Sequence, residues 1–204
     1  MEIACLDLEG VLVPEIWITF AQITGIAELR ATTRDVADYD VLMKQRLRLL
    51  DQHGLGLREI QAVIADMRPL DGAQDFLGWL RERFQVVVLS DTFYEFSQPL
   101  MRQLGWPTLL CHRLVVDATG RVADYTLRQK DGKRQCVKAF RGLNFRVIAA
   151  GDSYNDTAML EEADAGILFR APDNVIAEFP QYPAVQSYDD LRQEFVRASK
   201  RQLG

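Results

Sequence analysis

The stretch "IACLDLEGVL", residues 3–12, decides the reading of this chain. An apolar run climbs to Asp7, admits Leu8, then places Glu9 and Gly10 before the sequence turns apolar again. A strand of that composition belongs in the interior, where an unpaired carboxylate is very costly. Two carboxylates at its end therefore need a partner or a task, and the rest of the sequence supplies candidates for both.

Three further apolar runs rich in β-branched residues follow: "QVVVLSD" (85–91), "FRVIAAGD" (145–152) and "DAGILF" (164–169). Helical patterns separate them, such as Phe76, Leu77 and Leu80 before the second run and Ala158, Met159 and Leu160 before the fourth. Strands apolar on both faces that alternate with amphipathic helices predict an α/β fold, a doubly wound parallel sheet covered on both sides. Ligands in such sheets collect at the carboxyl ends of the strands. Three of the four runs end there in polar residues: Asp7, then Ser90-Asp91, then Asp152.

Residues 14–69 differ in character. "EIWITFAQITG", "DVLMKQRLRLL" and "LREIQAVIADM" are helical in pattern and contain no convincing strand. An insertion of that length is too long for a plain loop. We expect a core domain from residues 1–13 and 70–204, with 14–69 as a helical cap over the site. "LLCHRLVVDATGRVADYTL" (109–127) reads as two strands about a Thr119-Gly120 turn, and "SYDDLRQEFVRASKRQLG" as a surface helix with late positive charge.

The 204 residues are 48% hydrophobic and 26% charged, an ordinary globular composition, with a net charge of -5 that argues against a nucleic-acid partner. Cys5, Cys111 and Cys136 are odd in number and widely spaced, the usage of free buried thiols in a reducing compartment. No apolar run approaches a membrane span, and no leader precedes the first strand, so a cytoplasmic location without membrane contact is expected. Nothing in the sequence bears on oligomeric state.

Four pieces carry chemistry: Asp7 with Glu9; Ser90; Lys133 in "KDGKRQ"; and "GDSYND" (151–156), with Asp152 at a strand end and Asp156 in a helix's first turn. Each alone is commonplace as a turn, a cap or a solvated charge. Carboxylates gathered at strand ends repel one another, so a hard divalent cation is their natural complement, and oxygen ligands favour Mg²⁺ over zinc. Neither histidine, His53 or His112, is expected near these motifs.

In this order and spacing the pieces resemble the four motifs of the haloacid dehalogenase superfamily of phosphotransferases: Asp7-Leu8-Glu9-Gly10-Val11, Ser90, Lys133, and Gly151-Asp152 with Asp156. The helical insertion resembles the cap of phosphoserine phosphatases, and the likeness is closer still to the bifunctional phosphoserine phosphatase/homoserine phosphotransferase group. The resemblance implies an aspartyl-phosphate on Asp7, with Glu9 as general acid and then general base. It implies Mg²⁺ held by the Asp7 carboxylate, the backbone carbonyl of Glu9 and Asp152, with Asp156 behind them. Ser90, Asp91, Lys133 and Asn155 would bind the substrate. Gly10 would let the backbone turn close to the phosphate. The sequence departs from the family in two places. Glu9 stands where Asp is usual, and Asp91-Thr92 where Gly-Gly usually follows the motif serine, narrowing the floor of the site.

Two cap residues bear on the substrate. Arg46 lies mid-way across the apolar face of "DVLMKQRLRLL", either snorkelling to water or aimed into a closed site. Glu15 either favours a helix N-terminus by its charge or meets a ligand. By resemblance, Arg46 takes the substrate carboxylate and Glu15 its ammonium, which points to O-phospho-L-serine, with L-homoserine as an acceptor beside water. Met43 and Trp17 read as core. The competing readings are a phosphatase of another small phosphometabolite and a receiver-type signalling domain; the long cap and Asp7 on the first strand speak against the second.

Overall fold

The computed structural model describes residues 1–32, 35–36 and 38–202; Thr33, Arg34 and Ala37 of the expected cap, and Leu203 and Gly204 of the tail, lie outside the described residues. In chain order the elements are β1 (Glu2–Leu6), α1 (Ile16–Thr24), α2 (Tyr39–Gln52), α3 (Leu57–Ala65), α4 (Ala73–Arg81), β2 (Gln85–Phe93) and α5 (Tyr94–Gln103). There follow β3 (Thr108–Val116), β4 (Val122–Thr126), α6 (Gly132–Gly142), β5 (Arg146–Gly151) and α7 (Tyr154–Glu162). The chain ends with β6 (Ala165–Phe169), α8 (Asp173–Glu178), β7 (Ala184–Val185) and α9 (Tyr188–Ala198).

The seven strands form one sheet in the order β4-β3-β2-β1-β5-β6-β7, parallel except for the antiparallel β3–β4 pair. The fold is thus α/β, with the expected doubly wound sheet and hairpin. Alternation along β1 sends Ala4 and Leu6 into one hydrophobic cluster and Ile3 and Cys5 into another, one on each face of the sheet. The chain leaves β1 toward β2 and later returns to its other side with β5, so the polarity of winding switches at β1. The carboxyl ends of β1, β2 and β5 open there into a crevice.

β2 does not stop at Ser90 as the sequence pattern suggests. It continues to Phe93 with a bulge: Leu89 pairs with Leu110 and Phe93 with His112, so four residues of β2 advance while β3 advances two. A regular strand would alternate its side chains, whereas the bulge lets Ser90, Asp91 and Thr92 all line the same cleft.

Residues between β1 and α4 supply α1, a short 3-10 turn (Ala27–Arg30), α2 and α3. They share a hydrophobic cluster with the sheet: the Trp17 ring lies 4.7 Å from that of Phe96 on α5, and Phe20 stacks on the same ring. On the far side they are fastened to the β3–β4 hairpin. Arg121 grips Asp51 through Nε (2.5 Å) and a terminal nitrogen (3.2 Å), and the Leu57 N–H donates to the Gly120 carbonyl (2.8 Å).

Helix α9 is less superficial than expected, since it buries Tyr188, Leu191 and Phe195. Of the late cations, Arg197 lies in its last turn as expected, whereas Lys200 and Arg201 lie beyond its end, where Arg201 donates to the Glu2 carboxylate. All three cysteines are buried free thiols. Among the described residues, no helix is long and apolar enough to cross a membrane.

Candidate active site

The floor of the crevice is built around one ammonium group. Asp7 follows the last residue of β1; its Oδ1 accepts the Leu8 N–H (2.7 Å) and lies 2.9 Å from Lys133 Nζ. Lys133 is the second residue of α6, which Asp131 introduces in the left-handed conformation (φ 52°). Its Nζ also donates to Asp156 Oδ1 (2.7 Å) and sits 3.7 Å from Asp91 Oδ2. Burial acts to lower the Lys133 pKa, but the carboxylates of Asp156, Asp7 and Asp91 outweigh it and hold the pKa well above the ordinary lysine value.

Asp156 is fully buried, and both its oxygens are engaged: while Oδ1 takes Lys133, Oδ2 accepts the N–H groups of Asp152 (3.0 Å) and Ser153 (3.2 Å). It closes the capping box that starts α7, and so fixes the loop that carries Asp152. Gly151 makes room for this, since a Cβ there would come within 2.4 Å of the Asp156 side chain.

Asp7, Asp152 and Asp156 each place an oxygen within 4.8 Å of the others. Burial, reinforced by the Asp156 charge, pushes the Asp7 pKa well above the usual carboxylate range. Burial, then Asp156 and Glu15, push Asp152 up to about 7. An oxygen-only donor set under that repulsion fits a hard divalent cation. Because Asp156 already serves protein donors with both oxygens, Asp7 and Asp152 are the carboxylates left to ligate directly. Gly10 has φ +74°, and a Cβ on it would lie 2.4 Å from Asp152 Cγ. At Gly10 the loop after β1 thus passes close against the Asp152 carboxylate.

Glu9 lines the crevice on the side of α1. Its Oε2 accepts the Ile16 N–H (3.1 Å) at the start of α1, beside Glu15, which is the N-cap of that helix. Burial, followed by the charge and hydrogen bond of Glu15, pushes the Glu9 pKa up to about 8. At neutral pH this carboxyl therefore holds a proton, as a general acid needs to.

At the bulge of β2, Ser90 Oγ accepts the Thr92 N–H (3.2 Å). The Asp91 carboxylate lies between Lys133 and His112, whose Nε2 is 3.5 Å from Asp91 Oδ1. His112 therefore does sit beside these motifs, contrary to the sequence expectation; the strand pairing of Phe93 with His112 brings it there across β3.

Above the floor, Arg46 is only 6% exposed, which excludes snorkelling. Its guanidinium lies 4.4 Å over the Trp17 ring and donates to the Ala31 carbonyl (2.8 Å) and the Met43 sulfur (3.7 Å). Its Nε has no hydrogen-bond partner among the described residues. Burial pulls its pKa down to about 10, against the opposing pull of Tyr39, Glu9 and Glu15. A buried guanidinium with an unused donor is suited to an anionic ligand group.

The crevice encloses about 320 Å³ and is lined by every sequence-proposed site residue except Asp156, which lies beneath it. The structure adds Tyr39, Trp17, Ser153 and Tyr154 to the lining. Tyr39 donates its hydroxyl to the Asp91 carbonyl (3.3 Å), tying α2 to the bulge. Its signal was present in the sequence, seven residues before Arg46 on one helical face. Trp17, read as core, is both core and wall.

A family model described as haloacid dehalogenase-like hydrolase matches residues 1–164. The chain belongs to that family. Among this hydrolase's relatives is a phosphoserine phosphatase of Pseudomonas syringae pv. tomato, 73% identical over 203 residues, spanning 100% of this chain and 86% of the relative. The phosphoserine phosphatase ThrH of Pseudomonas aeruginosa is 72% identical over 203 residues, covering 100% of this chain and 99% of that one. Among solved structures, a substrate-bound phosphoserine phosphatase complex superposes with a TM-score of 0.75 at 18% identity, over 96% of this chain and 97% of that one; the likeness establishes the fold.

Proposed function

We propose that this hydrolase removes phosphate from O-phospho-L-serine through a phosphoryl group carried on Asp7, in the presence of Mg²⁺, and passes the same group to L-homoserine as well as to water. The observation that carries the reading is the pairing of two chemistries in one crevice. A carboxylate pinned by Lys133 forms its floor, and a buried guanidinium with a free donor stands above it. The names of the relatives with over 70% identity support the substrate.

In this reading Asp7 attacks phosphorus, forming a phosphorus–oxygen bond to its carboxylate as the bond to the serine oxygen breaks. Glu9, which holds a proton at neutral pH, gives it to the departing alkoxide. In the second half, Glu9 takes a proton from water or from the homoserine hydroxyl, and that oxygen displaces the phosphoryl group from Asp7. Lys133, Ser90 and Asn155 hold the phosphoryl oxygens, and Asp91 lies beside them. The Asp7 and Asp152 carboxylates and the Glu9 carbonyl would hold Mg²⁺, with Asp156 orienting Asp152 from behind. Bound there, the ion would offset repulsion between carboxylate and phosphate. Arg46 takes the substrate carboxylate and Glu15 the ammonium. Residues 14–69 act as a cap that admits substrate and then excludes water.

The test is phosphate release from O-phospho-L-serine with Mg²⁺, repeated with EDTA and with Asp7→Asn, alongside a parallel assay with homoserine for phosphohomoserine. Release that EDTA and Asp7→Asn both abolish is expected. Turnover of an aryl phosphate but not of phosphoserine would remove Arg46 and Glu15 from the headgroup role.

A further inference from the structure

The cleft contains an anion that phosphoryl binding does not call for. Asp91 follows Ser90, the residue assigned to the phosphoryl oxygens, and its carboxylate lies 3.7 Å from Lys133 Nζ, the cation that pairs with Asp7. A free or esterified phosphate seated in the crevice against Asp7 and Lys133 would therefore have a carboxylate close by. Such like charges repel, and with the Asp91 side chain 43% exposed the solvent screens that repulsion only in part.

Several contacts hold this anion in place. His112 Nδ1 accepts the backbone N–H of Arg128 (3.1 Å), so the proton of the neutral ring belongs on Nε2, which faces Asp91 Oδ1 at 3.5 Å. The Asp91 backbone carbonyl takes the Tyr39 hydroxyl from α2. The β2 bulge orients residues 90–92 together toward the cleft. Both side-chain partners are long, at 3.5 and 3.7 Å; burial opposes them, but the Lys133 and His112 charges and hydrogen bonds hold the Asp91 carboxyl below the usual carboxylate range, so it faces the cleft as an anion.

Resting on the reading of the crevice as a phosphoryl site, we propose that Asp91, oriented by His112, is a specificity-determining residue that weakens the hold on inorganic phosphate. Chemistry at the transferring group depends on Asp7, Lys133 and the metal, whereas retention of the dianionic product depends on the summed charge around it. A carboxylate at this place speeds departure of the product and keeps Asp7 available for the next ester.

The experiment is direct binding of inorganic phosphate to the full chain with saturating Mg²⁺, by calorimetry. It compares wild type, Asp91→Asn and Asp91→Glu, with inhibition of turnover by phosphate as a second readout. Asp91→Asn is expected to bind phosphate on the order of three- to ten-fold more tightly, from one unit charge at this range in a partly solvated cleft. Asp91→Glu, which keeps the charge, is expected to stay near wild type, and His112→Phe to shift toward Asp91→Asn. Weaker phosphate binding by Asp91→Asn would overturn the proposal and make Asp91 a support for Lys133. Unchanged binding would overturn it too, showing the charge to be screened. Wild-type turnover of phosphoserine, measured in parallel, tests the substrate separately: phosphate binding without that turnover removes the substrate and leaves this comparison decisive. Absence of phosphate binding in every variant would remove both.

Discussion

Replacing Lys133 by Met tests the electrostatic account of the site at its centre. The ammonium lies 2.7 Å from Asp156 and 2.9 Å from Asp7, and those two side chains are 0% and 8% exposed. Removing one partner of such a buried set leaves charges that water cannot reach, at a cost of about 3–5 kcal/mol. In a chain of this size each kcal/mol moves Tm by about 2–4 °C, so a fall of roughly 6–20 °C follows at pH 8 in EDTA. The deficit must also depend on pH. A carboxyl whose folded pKa lies above its unfolded value favours the fold while protonated, and loses that contribution as pH rises through the folded value. Asp152 already stands at about 7 and Asp7 well above its ordinary value, and loss of the lysine charge raises both further. The deficit of Lys133→Met is therefore smaller at pH 5.5 than at pH 8. Added Mg²⁺ restores part of it at pH 8, because the cation binds only the folded cluster. Urea or thermal unfolding at the two pH values, with EDTA and with Mg²⁺, decides the matter. A deficit under about 1 kcal/mol at pH 8, or an equal one at both pH values, would refute the reasoning.

Gly10→Ala places a methyl where Asp152 lies and forces a residue with a side chain to φ +74°; about 1–2 kcal/mol of stability and most Mg²⁺-dependent turnover are expected to go, with Mg²⁺ titration by calorimetry as the check. Arg46→Met removes a buried guanidinium whose Nε is unsatisfied, so stability should hold or rise. KM for phosphoserine should meanwhile climb on the order of 100-fold, with aryl phosphate turnover little changed, since a charged bidentate contact is worth about 2–3 kcal/mol. Glu2 accepts from Ser199 Oγ (2.6 Å), the Lys200 N–H (2.8 Å) and Arg201 Nε (2.9 Å). Burial opposes these donors, but together they lower its pKa. That stability is present above the unfolded value and fades as pH falls through the folded one. Glu2→Gln should cost about 1 kcal/mol at pH 7 and converge with wild type in acid, read by urea unfolding across pH.

What the sequence made legible depends on how local each feature is. The strands at Glu2–Leu6, Arg146–Gly151 and Ala165–Phe169 announce themselves because burial on both faces demands unbroken apolar runs. The carboxylates beyond the first two were legible because polar residues at such ends are hard to explain otherwise. Arg46 was legible from one helix's own periodicity. The features that were missed need a register between elements. The extension of β2 to Phe93, and with it the shared orientation of Ser90, Asp91 and Thr92, exists only in the pairing with β3. His112 reaches Asp91 across that same pairing, twenty-one positions along the chain, and no spacing rule within either strand records it. Glu2 meets Arg201 from the opposite end of the chain. The sequence marks Gly10 as a backbone that must approach another group closely, and register adds Asp152 as a neighbour there, on a loop that β5 delivers from the other side of β1. Periodicity thus identifies the groups that do chemistry, while strand register decides which neighbours tune them. The Asp91–His112 pair depends on register in just this way. Lengthening or straightening the β2 bulge should therefore disturb phosphate affinity even with Asp91 and His112 both present, whereas a change confined to the composition of the strand, with its register kept, should not.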